Sequence, residues 1–449
     1  MYIKQRNRSP GPHSLMSSTG PHHSELAQQE ASASTPPARL MMFRSLYHRD
    51  FSIFWAGNFL SNIGTWMQYV ALGWVILLIT NSPFLLGLNA FLAQVPSLFF
   101  ALPGGAIADR LDRRKLMLIT QTSMMLLALL LAVLTSVGRI TITEILVISF
   151  LTGIASALNY PAYQAIIPDL IPRDDLMNGI ALNSAQFNMS RAIGPTIAGL
   201  ALGTLGAAAC FYLNSASFLA LIIGLMMITI PPLQKAPNPG FLNSMIEGIR
   251  YINRHRIIVV LLTVPAFLSL FGLPFIVLMP AVARNMIGVG ASGLGFLMGG
   301  AGLGAVAAAL LIAARRTAEH RGRLILTSAT LFSVALILLS RAHSFWVAFL
   351  LLSVMGGTIV GALTLANTTL QMTTPPELRG RVMAMYYIAM TGLMPFGSLQ
   401  AGAVAQRIST RFALEFGGAV CLLYFLILQV SLNRLRQIGK LAESHDSAG

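Results

Sequence analysis

Charge is what this chain has least of. Only 10% of its 449 residues are Asp, Glu, Lys or Arg, while 55% are hydrophobic and the mean hydropathy is +0.70. A water-soluble globular domain is excluded by that balance, because the uncharged runs are longer than a soluble core needs. Acid is scarcer than base, with 15 carboxylates against 30 Lys and Arg and a net charge of +15. No carboxylate falls at the middle of an apolar run, so no acid is buried at mid-membrane for proton exchange. Cysteine is nearly missing: Cys210 and Cys421 lie inside apolar segments, without CxxC or metal-ligand spacing, which excludes a disulfide scaffold and a thiolate metal centre. Both are expected to be buried free thiols. No HExxH, GxSxG or P-loop occurs, so the sequence holds no constellation for an intramembrane enzyme, and no cofactor or metal is expected.

The basic excess, with a pI near 10.6, does not indicate nucleic acid. Lys and Arg are parcelled into short loops between apolar segments, where they mark the cytoplasmic side of a membrane. Residues 1–43 are rich in Ser, Pro, His and Gln and contain no apolar run. They are expected to form a disordered cytoplasmic tail without a cleavable signal peptide, leaving the first span to direct insertion. His22 and His23 in that tail are read as solvated.

Twelve apolar stretches are long enough to cross a bilayer, which takes about 20 residues each. They run roughly over 51–79, 84–108, 116–136, 142–167, 175–204 and 207–230, then 257–284, 290–314, 323–340, 344–371, 381–405 and 411–432. The longest internal polar segment, 231–256, carries Pro231, Pro232, Pro237, Pro239 and the basic run Arg250 to Arg256, and reads as a cytoplasmic linker. The sequence therefore predicts an all-α membrane protein with 12 transmembrane helices in two six-helix halves, 44–230 and 257–433, and a cytoplasmic tail over 434–449. With both termini cytoplasmic, 24 of the 30 cations fall inside, five outside (Arg139, Arg284, Arg341, Arg407, Arg411) and one, Arg191, within a span.

A weak repeat links the halves. Gly194 and Gly199 in span five stand 203 residues before Gly397 and Gly402 in span eleven, and Pro172 with Asp174 before span five is matched by Pro375, Pro376 and Glu377. Six spans per half give both halves the same orientation, related by an axis along the membrane normal.

Two local patterns carry the rest. Between spans two and three the chain reads GGAIADRLDRRK. Gly104 and Gly105 permit close backbone approach, Asp109 can bond helix-start N–H groups or an arginine, and Arg110, Arg113, Arg114 and Lys115 suit an anionic leaflet. Such a loop can latch one conformation and release it; a basic loop serving topology alone explains the cations but not Asp109 with its glycines. In span five, Ser190, Arg191, Gly194, Pro195, Ala198 and Gly199 form a small-residue face interrupted by proline, which allows close helix contact and a bend.

On these residues the chain resembles the major facilitator superfamily across roughly 44–433. Gly104, Asp109, Arg110, Arg113, Arg114 and Lys115 match its signature loop, with Asp112 where a glycine is usual. The DRxDRR form is similar to the branch of the enterobactin exporter, macrolide efflux pumps and transmembrane secretion effectors, as are Ile63 to Gln68, Asn159 to Pro161, and Arg191, Gly194 and Pro195. The resemblance implies the major facilitator fold, a latch that steadies an outward-open state by tying the two halves' inner ends, and an export-type motif at Arg191, Gly194, Pro195 and Gly199. Ala198 stands where that motif more often has glycine.

Asn58, Asn62, Thr65 and Tyr69 share one face of span one. Span four adds Asn159, Tyr160, Tyr163 and Gln164, and span ten adds Thr364, Asn367, Thr368 and Gln371. The family's first, fourth, seventh and tenth helices line a central cavity, which makes Asn58, Asn62, Thr65, Tyr69, Asn159, Tyr163, Gln164, Asn367 and Gln371 the cavity candidates. Helix-to-helix bonding is the other reading of each. Phe267, Phe271 and Phe275 in span seven favour an amphipathic, aromatic-tolerant substrate over a sugar or ion. Arg191 is open to two readings, an anchor for an anionic substrate or a post bonded to carbonyls or a carboxylate. Glu144 and Asp169 are the coupling candidates.

The resemblance implies a monomeric, proton-coupled exporter of a siderophore, drug or other amphipathic small molecule in a bacterial cytoplasmic (inner) membrane, in contact with membrane lipids. A lysophospholipid transporter is the alternative, and a non-transporting scaffold is a third reading.

Overall fold

The computed structural model describes residues 43–100, 112–229, 241–314 and 321–446, and the compact unit Ser45–Gly449 holds nearly all of them. Of the other unit, Met1–Arg44, only Phe43 and Arg44 are described, so the expected disordered tail lies outside the described residues.

Every regular element among the described residues is helical. The chain runs through α1 (Arg49–Thr80), α2 (Pro83–Phe100), α3 (Arg113–Ser136), α4 (Ile142–Asp169), α5 (Leu176–Thr204) and α6 (Ala207–Met227). After α7 (Phe241–Arg254) come α8 (Arg256–Ile287), α9 (Ala291–Ala314), α10 (Arg321–Ser340), α11 (Phe345–Thr373), α12 (Pro376–Arg407) and α13 (Thr410–Asp446). Eleven of these helices are long and apolar enough to cross a membrane. The twelfth, α5, has the length, at 29 residues, but Asn178, Asn183, Gln186, Asn188 and Arg191 dilute its hydropathy. A helix this polar is stable in a bilayer only where neighbours or a wet cavity cover it.

Short turns keep consecutive helices antiparallel. Asn81 (φ 48°), Gly206 (φ 83°) and Gly288 (φ 77°) take left-handed backbone that ends α1, separates α5 from α6 and ends α8. Thr141 and Glu144 form a capping box at the start of α4. The segment read as a polar linker is not all loop: residues 241–254 are the helix α7, and Glu247 pairs with Arg381 at the start of α12 at 2.6 Å.

The halves repeat in space. In the first, α1 packs on α5 and α6, α3 on α4 and α6, and α2 on α4. In the second, α8 packs on α12 and α13, α10 on α11 and α13, and α9 on α11. Each pairing has its counterpart six spans later. The faint glycine spacing is the sequence trace of this symmetry: Gly199 lies on Gly295 of α9, and Gly402 lies on Gly87 of α2. Membrane helices gain no hydrophobic drive from each other, so small residues that let backbones touch decide where they associate.

These two glycine crossings, α5 on α9 and α2 on α12, join the halves at the end away from the Arg-rich loops. Ser82 Oγ donates to Gln406 Oε1 at 2.7 Å, and Arg284 Nη1 donates to Leu77 O at 3.1 Å, at the same end. That far end is sealed. Proline interrupts α8 and α12, where a π-helical turn, Leu268–Gly272 or Ile388–Gly392, comes just before Pro274 in α8 and Pro395 in α12. Widening the turn relieves the clash of each proline ring with a carbonyl one turn back. Ser269 Oγ donates to Met390 O at 2.5 Å and ties one π turn to the other.

Candidate functional site

Between the sealed far end and the basic end lies a crevice with two connected chambers. The larger, about 430 Å³, is walled by the first half alone and is polar, with Asn58, Asn62, Thr65, Asn159, Tyr163 and Gln164 together with Gln121, Asn183 and Asn188. Gln164, Ser184 and Phe187 on this wall are exposed, so the chamber opens toward the basic end. The second, about 330 Å³, shares Thr65 and Ser156 and reaches deeper past Trp66, Tyr69 and Asn89 to Ile276 of α8 and Met394 of α12. Polar at the mouth and apolar at depth, the crevice matches a molecule with both kinds of surface.

A hydrogen-bond network holds the polar wall. Asn58 Nδ2 donates to Tyr163 Oη and to Gln186 Oε1, each at 3.0 Å, and Tyr163 Oη donates to Asn183 Oδ1 at 2.5 Å. Thr120 Oγ1 donates to Asn159 Oδ1 at 2.9 Å, and Gln164 Nε2 donates to Tyr160 Oη at 2.9 Å. Two groups on or beside this wall, Gln121 Oε1 and Gln186 Nε2, are buried without a partner. Buried orphans are costly, and since neither atom is open to the chamber the cost is carried by the packing of the wall itself. Across the mouth, Tyr160 of α4 stacks on Tyr387 of α12 with centroids 5.4 Å apart and planes 20° apart.

The structure brings seven of the nine cavity candidates onto these walls: Asn58, Asn62, Thr65, Tyr69, Asn159, Tyr163 and Gln164. Asn367 and Gln371 do not line either chamber; Gln371 Nε2 donates to Asn367 Oδ1 at 2.6 Å along α11. The phenylalanine stripe of span seven lines neither of these two chambers. Phe267 stacks on Tyr424 and Phe271 meets Phe416 edge-on inside the second half, while Phe275 packs on Phe332 and also lines a small chamber beside α5. Sequence reasoning missed α5, which supplies Asn183, Ser184, Phe187 and Asn188. Its crowding of amides in an otherwise apolar span was the available signal.

Of the latch loop, Gly104, Gly105, Asp109 and Arg110 lie outside the described residues. The remaining cations bond within their own half. Arg113 Nη1 pairs with Asp169 Oδ2 at 2.5 Å and donates to Ala165 O at 3.1 Å. Arg114 caps the end of α6 through Leu225 O (2.7 Å) and Met226 O (2.6 Å). Asp112, the residue that departs from the family pattern, is the N-cap of α3 and accepts from the Arg114 and Lys115 N–H groups at 2.9 and 3.2 Å. Both coupling candidates are engaged: Asp169 with Arg113, and Glu144 with the Thr141 N–H at 2.7 Å in the cap of α4.

In the motif of α5, Gly194 abuts Trp66 and Ile63 O of α1, and Gly199 forms the crossing with Gly295. Pro195 and Arg191 border a small third chamber of about 70 Å³ between α5 and helices of the second half. Among the described residues no cluster of His, Cys, Asp and Glu could hold a metal, and both cysteines are buried free thiols.

Comparison with known proteins places this geometry. Residues 41–447 match the family model described as transmembrane secretion effector. The staphyloferrin A transporter of Staphylococcus aureus is 27% identical over 357 residues, covering 77% of this chain and 87% of that protein. The enterobactin exporter EntS of Shigella boydii is 25% identical over 406 residues, covering 89% and 96%. In solved structures, the nucleoside transporter NupG superposes with a TM-score of 0.68 at 11% identity over 85% of this chain and 98% of that one. The D-xylose-proton symporter gives 0.64 at 14% identity over 83% and 97%. At such identities these two show the fold alone.

Proposed function

The chain belongs to the transmembrane secretion effector family of major facilitator secondary transporters, not enzymes, and on that premise we propose that it exports an amphipathic small molecule, of the siderophore or drug type, from the bacterial cytoplasm by proton-coupled alternating access. The chain sits in the inner membrane as a monomer with both termini cytoplasmic, which puts the basic loops inside. Its halves, 44–230 and 257–433, rock about the crevice.

One observation carries this reading: a polar-to-apolar crevice of two joined chambers, open at the basic end and shut at the other by glycine crossings between the halves. An exporter loads from inside, so an inside-open crevice is its loading state. Parting α5 from α9 and α2 from α12 while the inner ends close would release the cargo outside. The latch residues Gly104, Gly105, Asp109 and Arg110, with Arg113 and Arg114, serve the outside-open state. In the inside-open state Arg113 and Arg114 are parked on Asp169 and the end of α6. Of the coupling candidates, Asp169 is the better placed, because its partner belongs to the moving latch, whereas Glu144 is spent on a helix cap.

The names of the siderophore transporters at 27% and 25% identity support the cargo class. The test is uptake into inside-out vesicles under an imposed pH gradient, with enterobactin and a panel of fluorescent drugs as probes. Accumulation that collapses with the gradient is the expected result. Accumulation indifferent to the gradient refutes the coupling, and movement of lysophospholipid alone replaces the cargo.

A further inference from the structure

Among the described residues, Arg191 is the one formally charged residue on the walls of the chambers above. Among the described residues, neither the 430 Å³ nor the 330 Å³ chamber has an Asp, Glu, Lys, Arg or His in its wall, and the 70 Å³ chamber has Arg191 alone. The guanidinium is half-buried at mid-helix in α5, beside Trp66, Met279, Met298 and Leu352. Five N–H donors are available on it. One hydrogen bond is made, from Nη2 to Asn188 Oδ1 at 3.1 Å. None of the ion pairs among the described residues includes it.

A structural post inside a membrane comes with a carboxylate or a ring of carbonyls, because a cation taken out of water needs a counter-charge. Here the described residues supply a single amide oxygen. Asn188, which supplies it, also lines the large open chamber, so the cation stands where the wet crevice meets the dry one. The 70 Å³ beside it is room for a head group rather than a whole ligand.

We propose that Arg191 is the anchor for an anionic head group, carboxylate, sulfonate or phosphate, on the amphipathic substrate. The crevice is accordingly selective for anions and rejects lipophilic cations. This rests on the transport reading above for the word substrate, but the binding site stands on its own geometry. A guanidinium fork pairs with such planar or tetrahedral oxyanions through two parallel bonds, and in a low-dielectric wall that pairing is strong. Asn188 orients the fork, while Trp66 and the methionines give the ligand body an apolar bed.

The experiment is equilibrium binding to the full chain in nonionic micelles, read by tryptophan-sensitised emission against empty micelles. Three probes are compared: 1-anilinonaphthalene-8-sulfonate, N-phenyl-1-naphthylamine, which has the same rings without the sulfonate, and ethidium. The wild-type chain is expected to bind the sulfonate at least tenfold more tightly than the neutral amine, and ethidium least. Arg191→Gln should erase that preference while leaving amine binding unchanged, and Arg191→Lys should keep part of it.

Asn188→Asp gives a second variant that preserves the arginine. It sets a carboxylate on the guanidinium, which strengthens a structural post but neutralises an anchor. Loss of sulfonate preference in Asn188→Asp supports the proposal even where Arg191→Gln fails to fold. A preference that survives either substitution overturns it, as does tighter binding of ethidium than of the sulfonate by the wild-type chain. Displacement of the sulfonate by lysophosphatidylglycerol would identify a lipid as the source of the head group, and displacement by aromatic carboxylates alone a free solute; both retain the anchor. If the sulfonate preference holds while vesicles accumulate nothing, the transport reading fails and the anion site remains.

Discussion

The Gly199 crossing allows alternating access to be tested with one methyl group. A Cβ built on Gly199 would stand 2.6 Å from Gly295 Cα and 3.0 Å from both Gly295 N and Ser292 O, all three backbone atoms of a helix in the other half that cannot rotate aside. Carbon atoms rest about 3.5–4.0 Å apart, so Gly199→Ala must part α5 and α9 by roughly 1 Å at the outer seal. Overpacking of this kind costs about 1–3 kcal/mol. The cost falls on the sealed state alone, because the two backbones separate once the outer end opens. The population should then shift toward outside-open by about 5- to 150-fold. Asn89 lines the deep chamber behind that seal. In a background without Cys210 and Cys421, an Asn89→Cys reporter should react with membrane-impermeant maleimide from outside faster by that factor when Gly199→Ala is added. Gly322→Ala is the control, since no described residue lies within 4 Å of a Cβ there. An unchanged rate in folded Gly199→Ala protein would refute both the seal and the rocking motion built on it.

Three further outcomes can be checked. Arg113→Gln and Asp169→Asn should impair transport alike, and their double mutant should be no worse, with a coupling of about 0.5–3 kcal/mol in the stability cycle, because each removes the same ion pair; additive effects would separate the two residues. Glu144→Ala should lower the melting temperature slightly through loss of the Thr141 cap and leave gradient-driven transport intact. Loss of coupling in that variant would make Glu144 the proton carrier after all. Tyr160→Ala and Tyr387→Ala each break the stack across the mouth. They should speed modification of an Asn188→Cys reporter by up to about tenfold, as about 0.5–1.5 kcal/mol of ring contact holding the mouth is lost; slower modification would contradict an aromatic clasp there.

Class and architecture were legible because they follow from local quantities. Run length, charge scarcity and the placement of cations specify helices across a bilayer, and the antiparallel turns at Asn81, Gly206 and Gly288 follow from what those residues permit in the backbone. The polar stripe of span one was readable for the same reason, since side chains four apart share a helix face whatever surrounds them.

Which face looks at which neighbour is not a local quantity. The stripe of Phe267, Phe271 and Phe275 has the same spacing whether it borders a cavity or a core, and only the packing set Phe267 and Phe271 against Tyr424 and Phe416 and left Phe275, on Phe332, beside the chamber of Arg191. Asn367 and Gln371 satisfy each other along α11 instead of lining the chambers described, while α5 brings its amides to the wall. Asp112 looked like a departure from the family loop, and its role as an N-cap became visible only with the start of α3.

By itself the sequence determined that the chain spans a membrane in two repeated sets of helices with most of its cations in the loops at one end, because hydrophobicity and charge act residue by residue. Only the tertiary structure decided which glycines seal the halves, which polar groups share a crevice and that Arg191 stands there without a carboxylate partner among the described residues, because those depend on distances between helices remote in the chain.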